Sequence, residues 1–218
     1  TIHGLALKII KENSNFERLN LSADFEICDD TQRMRIIKSI GGKNTKTEID
    51  EFDRAISVLK LQEGDIDRPS GDKKIEKFKT FFKEYQAKLR EANLIDYDDI
   101  LIMSVKLLEN NPDILEYYQN ICEYIIEDEA QDSSGVQQRL IGLLSGKHKN
   151  LIRCGDINQA ITTTFSNADV EGFRKFIAEA DTTVEMNHSQ RCTQDVMTLA
   201  NNLVNFGNEI LPKAFFTS

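Results

Sequence analysis

The stretch I-I-E-D-E-A-Q-D, from Ile125 to Asp132, decides how this chain is interpreted. It continues an apolar run, and we predict one buried strand over residues 121–127. Acidic side chains crowd at the end of this strand, where carboxylates repel one another unless a cation lies between them. Open α/β sheets bind ligands at that end of their strands, so Asp128 and Glu129 are candidates for a magnesium site that carries nucleotide phosphates. The alternative is a solvated acidic turn.

A second predicted strand, L-I-R-C over residues 151–154, also ends in polar residues. Gly155 and Asp156 follow it directly, and Gln159 comes three residues later. The carboxyl ends of neighbouring parallel strands lie at one edge of a sheet, so these side chains could face the same crevice as Asp128. Gly155 allows a tight backbone turn, although an ordinary glycine–aspartate turn would look the same.

A third predicted strand, T-V-E-M over residues 183–186, leads into N-H-S-Q-R-C-T and therefore to Arg191. The planar guanidinium of arginine suits bidentate contacts to phosphate oxygens. A surface salt bridge would explain this arginine equally well. Three successive strand ends that carry acid, acid with amide, and arginine favour a phosphate-binding crevice over three unrelated turns.

The strands alternate with amphipathic segments, which indicates βαβ units and a parallel sheet with flanking helices. We predict these helices over residues 97–110, 136–145, 170–180 and 193–206, with Pro112 in the first turn of a further one. A block over residues 14–93 differs, because it is rich in charge and is typical of a helical subdomain. Its helices are expected over residues 31–40, 49–61 and 73–93, and the first 13 residues form a short amphipathic helix.

Charge is distributed unevenly, and it restricts the possible functions only weakly. Residues 1–95 carry 18 Lys and Arg against 17 Asp and Glu, whereas residues 96–218 carry 9 against 19. An acidic protein can still bind nucleic acid through a local basic face. No apolar run approaches the roughly 18–20 residues that span a membrane. The four scattered cysteines form no C-x-x-C pair, so we expect a reducing cytoplasm and no zinc site.

Five motifs together resemble the first motor domain of superfamily 1 DNA helicases of the UvrD/Rep/PcrA type. They occur in that family's order: T-I-H-G-L-A-L (1–7), L-I-D-Y-D-D-I-L (94–101), I-I-E-D-E-A-Q-D (125–132), G-D-I-N-Q-A-I (155–161) and S-Q-R-C-T-Q-D-V-M (189–197). The third is similar to a Walker B motif. The resemblance implies an α/β RecA-like (P-loop NTPase) parallel sheet, formed by residues 1–13 and 94–218, with residues 14–93 as an inserted helical subdomain.

The resemblance also implies ATP, Mg²⁺ and DNA as ligands. Asp128 would hold magnesium through water, Glu129 would be the catalytic base, Gln159 would sense the γ-phosphate and Arg191 would act as an arginine finger. The nucleotide site would further include Gly155, Asp156 and Gln190. Single-stranded DNA would contact Thr1, His3, Thr162, Thr163 and Phe165, through phosphate contacts and stacking.

Several positions depart from the family pattern. Glu127 stands where an apolar residue is usual, and Gln190 stands where an aromatic residue often stacks on the base. Thr162 and its neighbours replace the aromatic residues and arginine that are common in that loop. The 218 residues contain no G-x-x-x-x-G-K-S/T phosphate loop. The chain also begins at Thr1 without a methionine, and we expect a part of a longer protein, truncated on the N-terminal side and inactive alone.

Two other functions remain open at this stage. The chain could be a DNA-binding or interaction module whose motor has degenerated, which the departure at Gln190 favours. It could also be a metal-dependent phosphohydrolase that uses Asp128, Glu129 and Asp156 as direct ligands, because such an enzyme needs no phosphate loop.

Overall fold

The fold is known from a computed structural model, which describes residues 1–41, 45–61, 73–160, 168–186 and 189–210. The helices are α1 (Ile2–Lys11), α2 (Asp30–Gly41), α3 (Lys46–Leu61), α4 (Lys73–Glu91), α5 (Tyr97–Asn110), α6 (Pro112–Ile121), α7 (Gly135–Ser145), α8 (Val170–Glu179) and α9 (Gln194–Ile210). The strands are β1 (Glu26–Ile27), β2 (Leu94–Ile95), β3 (Ile125–Glu127) and β4 (Leu151–Arg153). Short 3-10 segments join several of them.

The predicted helices are confirmed to within a few residues, because their ends carry recognisable local signals. Asp96 accepts the N–H of Asp99 at 3.0 Å and the Asp99 side chain accepts the N–H of Asp96 at 3.2 Å, so a capping box opens α5. Ser134 and Gln137 form the same arrangement at the start of α7. Pro112 occupies the first turn of α6, as predicted.

The two strands that are followed by acidic residues pair in parallel, as predicted, but both are shorter than predicted. β3 and β4 pair in parallel, and Ile126 lies opposite Ile152. The predicted strand over residues 121–127 starts too early, because Ile121 still belongs to α6. The N–H of Cys122 donates to the carbonyl of Tyr118 at 2.9 Å and ends that helix. Apolar residues at a helix end and at a strand start look alike in sequence.

The predicted third strand over residues 183–186 is wrong. These residues belong to no strand in the described chain, and Val184 and Met186 are 79 % and 90 % exposed. An extended segment becomes a strand only when a neighbour takes up its backbone hydrogen bonds. Within the described ranges, β4 has β3 as its only strand neighbour. Instead of the single larger sheet that we expected, the described residues form two two-stranded parallel pairs, β1–β2 and β3–β4, in a mostly helical fold.

Two apolar clusters hold the helices together. The first joins α1, α5, α6 and α7, and its fully buried side chains include Ile9, Leu108 and Leu140. The second joins α2, α3 and α4, where the rings of Phe52 and Phe81 stack with centroids 3.8 Å apart. The helical block predicted in the sequence thus has an apolar core of its own.

A buried polar hub links the second cluster to the start of α5. The Asp96 carboxylate accepts hydrogen bonds from Arg33 of α2 at 3.0 Å and from the Tyr85 hydroxyl of α4 at 2.8 Å. Lys60 of α3 lies 2.7 Å from both Asp96 and Asp99. Burial by itself raises the pKa of the Asp96 carboxyl, but Lys60, the Asp99 backbone and Arg33 together hold that pKa below its usual value. Burial raises the pKa of Asp99, although the charge of Lys60 opposes that rise.

Candidate active site

The acidic turn, Asp128 to Asp132, follows β3 and begins with a backbone conformation that residues other than glycine rarely adopt. Glu129 has a φ of 53°, in the left-handed region. Its N–H donates to Oδ1 of Asp128 at 3.0 Å, and the N–H of Ala130 donates to the carbonyl of Cys154 at 2.9 Å. Backbone strain of this kind costs about 1–3 kcal/mol and clusters at functional sites. The acidic turn is therefore held in a strained form against the end of β4.

Gln131 connects the acidic turn to the loop that follows β4. Its Nε2 donates to the Glu129 carboxylate at 2.7 Å, and its Oε1 accepts the backbone N–H of Asp156 at 3.1 Å. The side chain is buried, with 1 % of the residue exposed. A buried amide with both ends bonded has one preferred orientation, so Gln131 fixes the Glu129 carboxylate relative to Asp156.

Asp156 organises the second loop through its side chain. One carboxylate oxygen accepts the N–H of Asn158 at 2.9 Å, and the other accepts Nε2 of Gln159 at 2.9 Å. The first bond caps the short 3-10 segment Ile157–Gln159. Together with Gln131, these bonds form one path from Glu129 to Gln159, so the structure brings these two predicted residues into one hydrogen-bonded group.

Gly155 is required by close packing. A Cβ added there would lie 2.6 Å from Oε1 of Gln131 and 2.9 Å from Cε1 of Phe173. Both distances are shorter than atoms in folded proteins tolerate. The sequence indicated a tight turn at this glycine, whereas the structure shows that Gln131 and Phe173 approach the backbone directly.

We expect Gly155→Ala to lower the free energy of unfolding by about 1–3 kcal/mol, because the methyl group must displace the buried Gln131 amide or the Phe173 ring. Urea unfolding followed by circular dichroism would measure the change. Gly142→Ala is the matched control, since a Cβ there meets nothing within 4 Å and alanine favours the interior of α7. A Gly155→Ala chain as stable as the wild type would contradict this packing.

Gln190 and Arg191 are not part of this hydrogen-bonded group among the described residues. Both are exposed, in the segment just before α9. The backbone N–H of Arg191 donates to Oγ of Ser189 at 3.3 Å. The hydrogen bonds and ion pairs recorded among described residues do not join the Arg191 guanidinium to Asp128, Glu129 or Asp156. Its predicted role as an arginine finger stays a prediction.

Only some of the residues that we predicted to contact DNA lie within the part of the chain that the structure describes. The Oγ1 of Thr1 accepts the N–H of Gly4 at 3.2 Å and so caps α1. His3 packs edge-on against Tyr97, with ring centroids 6.0 Å apart, and partial burial lowers the pKa of its imidazole. Tyr97 is 52 % exposed. It is not among the residues predicted from sequence, although an aromatic residue between acids in L-I-D-Y-D-D-I-L indicates a surface position. The remaining candidates lie outside the described residues: Thr162, Thr163 and Phe165.

Asp128 fits a water-mediated magnesium ion. It is exposed, and Mg²⁺ in nucleotide sites usually keeps several waters and uses one or two carboxylates. Among the described residues, no group of three or more His, Cys, Asp or Glu side chains is placed to hold a metal directly. A cavity of about 670 Å³ lies elsewhere, among residues of α4, α5 and α7, and its lining contains none of the candidate residues.

No helix in the described part of the chain has the length and apolar character that crossing a membrane requires.

Residues 1–181 match the family model of the UvrD/REP helicase N-terminal domain. The chain is 30 % identical, over its full length, to the ATP-dependent DNA helicase PcrA of Staphylococcus aureus strain COL and to that of Staphylococcus epidermidis. It spans 31 % of the length of these relatives. The family resemblance predicted from the motifs is thus confirmed, and the chain belongs to the UvrD/REP helicase family.

Proposed function

We propose that the chain is part of an ATP-dependent DNA helicase or translocase, which hydrolyses magnesium-bound ATP to move along single-stranded DNA and unwind duplex DNA. The observation that carries the proposal is the hydrogen-bonded path from Glu129 through Gln131 to Asp156 and Gln159. A motor needs such a path, because the loops that respond to the γ-phosphate must change conformation together with the segment that carries the catalytic base. The name of its relatives, ATP-dependent DNA helicase, supports the same activity.

The proposed chemistry centres on Glu129. Its carboxylate takes a proton from the water that attacks the γ-phosphorus, while the bond from that phosphorus to the β,γ-bridging oxygen breaks. Magnesium, when bound near Asp128, neutralises charge on the phosphate oxygens. The hydrogen bond from Gln131 at 2.7 Å leaves the carboxylate in one orientation toward that water. Glu129 is thereby positioned before the substrate arrives.

Three further roles complete the proposed nucleotide site. Gln159 senses the γ-phosphate and passes its state to the DNA-binding loops through Asp156. Arg191 stabilises charge on the transferred phosphoryl group, which requires its exposed side chain to move toward the phosphate when nucleotide binds. Gln190 and Gly155 line the site. These roles follow from matching the motifs to the family, and the hydrogen bonds around Asp156 support the first of them.

The proposed path of single-stranded DNA passes His3, and the exposed ring of Tyr97 belongs to the same surface. Bases stack on exposed aromatic rings at about 1–3 kcal/mol per base, without sequence preference. The edge-on contact with His3 holds the Tyr97 ring in place. Thr1 lies at the start of the same helix as His3. We further propose that residues 1–13 and 94–218 belong to the motor domain and that residues 14–93 are its inserted subdomain.

Hydrolysis of ATP by the full-length protein tests the proposed function. We expect turnover that single-stranded DNA stimulates, and no turnover from the 218-residue chain alone, because it has no phosphate loop to hold the β- and γ-phosphates. A coupled assay of both proteins, with and without DNA, is the measurement. Robust turnover by the chain alone would show that the phosphate loop is dispensable and would contradict the assignment.

A degenerate motor that only binds DNA is the second candidate. The amide at Gln190 favours it, and so does the exposed Arg191 side chain, which no recorded hydrogen bond or ion pair among the described residues joins to Glu129. Retained DNA binding with no turnover in the full-length protein would support it. The metal-dependent phosphohydrolase has less support, because no group of three carboxylates is placed to bind a metal within the described residues.

A further inference from the structure

A buried ion pair lies directly behind the acidic turn. Glu127 ends β3, Arg153 ends β4, and the two residues are register partners in the parallel pair. Their side chains are only 9 % and 4 % exposed, and Nε of Arg153 donates to one oxygen of the Glu127 carboxylate. The other oxygen accepts a hydrogen bond from the hydroxyl of Ser133. Both oxygens of this carboxylate are therefore oriented by a specific donor.

The surrounding residues complete a closed ring. Nη1 of Arg153 donates to Oε1 of Gln138 at 3.3 Å, and Nε2 of Gln138 donates to the carbonyl of Ser133 at 3.2 Å. Two aromatic rings of α8 cover the guanidinium, with centroids 5.2 Å and 5.0 Å away: Phe173 and Phe176. Cation–π contacts of this kind add to the fixed orientation of the arginine.

This closed ring of hydrogen bonds joins the two ends of the acidic turn. Glu127 precedes the turn and Ser133 follows it, so the hydrogen bond between them closes the five residues that lie in between. Arg153 stands two residues before Gly155. It therefore connects the two ends of the acidic turn to the loop that carries Asp156. A shift within the ring would move both loops of the candidate site at once.

Stability alone does not explain a charged pair at this place. Removing two charges from water costs free energy, and an apolar pair of similar volume is often as stable or more stable. Charged hydrogen bonds differ from apolar contacts in being directional, so they hold one geometry. The gain from Glu127 and Arg153 is therefore orientation.

We propose that Glu127 and Arg153 are a positioning pair for the ATP hydrolysis proposed above, on which this inference rests. The pair holds the peptide that carries Asp128 and Glu129 in register with the loop that carries Asp156. It touches neither nucleotide nor water. Its effect is on the rate of the chemical step, because an error of about 1 Å in the placement of a base can reduce a rate about 100-fold.

The test replaces the pair in the full-length protein with an apolar pair, Glu127→Leu/Arg153→Leu. We expect a melting temperature within about 5 °C of the wild type, because no buried charge is left alone. The kcat of DNA-stimulated ATP hydrolysis should fall about 10- to 100-fold, while KM for ATP changes less than about twofold. A purely structural pair would not produce that separation of kcat from KM.

The matched control makes the same two substitutions at Glu109 and Arg139, a partly exposed pair at 2.6 Å that joins α5 to α7 and has no contact of its own with Glu127 or Arg153 among the recorded hydrogen bonds and ion pairs of the described residues. Wild-type kinetics are expected there. A stable Glu127→Leu/Arg153→Leu protein with wild-type kcat would overturn the inference, and so would an equal change in kcat and KM. No turnover in the wild type would instead overturn the proposed function, and the inference with it.

Ser133→Ala decides the question if the double variant does not fold. It keeps the ion pair and removes only the hydrogen bond that closes the acidic turn. We expect a folded protein whose kcat falls several-fold with KM for ATP unchanged. A folded Ser133→Ala protein with wild-type kcat would then overturn the inference.

Discussion

Replacing Glu129 with glutamine in the full-length protein is expected to reduce DNA-stimulated ATP hydrolysis about 100- to 10,000-fold, the usual contribution of a positioned general base. Glutamine has nearly the same shape but cannot take up a proton from the attacking water. The hydrogen bond from Gln131 lies on the carboxylate itself, at 2.7 Å, so the change alters chemistry at a position whose geometry is already fixed. Steady-state turnover with and without single-stranded DNA is the measurement.

Glu123→Gln is the matched control for this experiment. Glu123 is exposed and lies just before β3, at the opposite end of the strand from Glu129. The same loss of one carboxylate there should leave turnover unchanged. Nucleotide binding by Glu129→Gln, measured with a fluorescent ATP analogue, should remain close to wild type. Turnover that survives in Glu129→Gln would place the base elsewhere, whereas no turnover in the wild type would favour the degenerate motor.

The two acidic strand ends could be predicted from sequence because their signals are local. An apolar run followed by acids is a short-range pattern, and parallel pairing follows from the helices between the strands. The convergence of Asp156 with the acidic turn was therefore expected. The contacts of Gln131 were not, because its amide joins Glu129 to a backbone N–H of a different loop. Only the fold reveals which backbone N–H meets that amide.

The incorrect predictions have a common physical cause. The segment 183–186 has strand-like residues, but a strand exists only where a neighbour takes up its hydrogen bonds, and single-sequence patterns do not contain that information. The sequence showed Glu127 as a departure from the family pattern and gave it no partner. The structure supplies Arg153 as its partner, 26 residues away along the chain, and turns an apparent defect into a contact. Pairings across the sheet are long-range, so the sequence pattern of either strand alone cannot predict them.

Replacing Asp96 with asparagine is expected to lower the free energy of unfolding by about 1.5–3 kcal/mol, because Arg33 and Lys60 each lose one of two carboxylate partners. Arg33 keeps Asp53 at 2.7 Å and Lys60 keeps Asp99 at 2.7 Å. The expected loss is a large share of the roughly 5–15 kcal/mol that stabilises a typical domain. Asparagine is isosteric and is itself a preferred N-cap, so the bond from the N–H of Asp99 at 3.0 Å can persist. The loss therefore reports the charge and not the helix cap. Urea unfolding of the chain, followed by circular dichroism, measures it.

Asp113→Asn is the control for that experiment. Asp113 also pairs with an arginine, Arg18, at 2.9 Å, but the side chains of both residues are largely exposed. Solvent and salt screen such pairs, so the same substitution should have little effect on the urea midpoint. An Asp96→Asn chain with an unchanged midpoint would mean that Asp99 and Asp53 suffice for Lys60 and Arg33, and that Asp96 does not hold α2, α3 and α4 against α5.

The stability difference between wild type and Asp96→Asn is also expected to depend on pH. The pKa of Asp96 is lower in the folded chain than its usual value, so its contribution is fully present above the unfolded value of about 3.9. As the pH falls below that value and through the folded pKa, the carboxylate takes up a proton and comes to resemble asparagine. Urea unfolding between pH 7 and pH 2.5 should show the two curves converging. A constant difference across that range would show that the charge of Asp96 is not what Arg33 and Lys60 require.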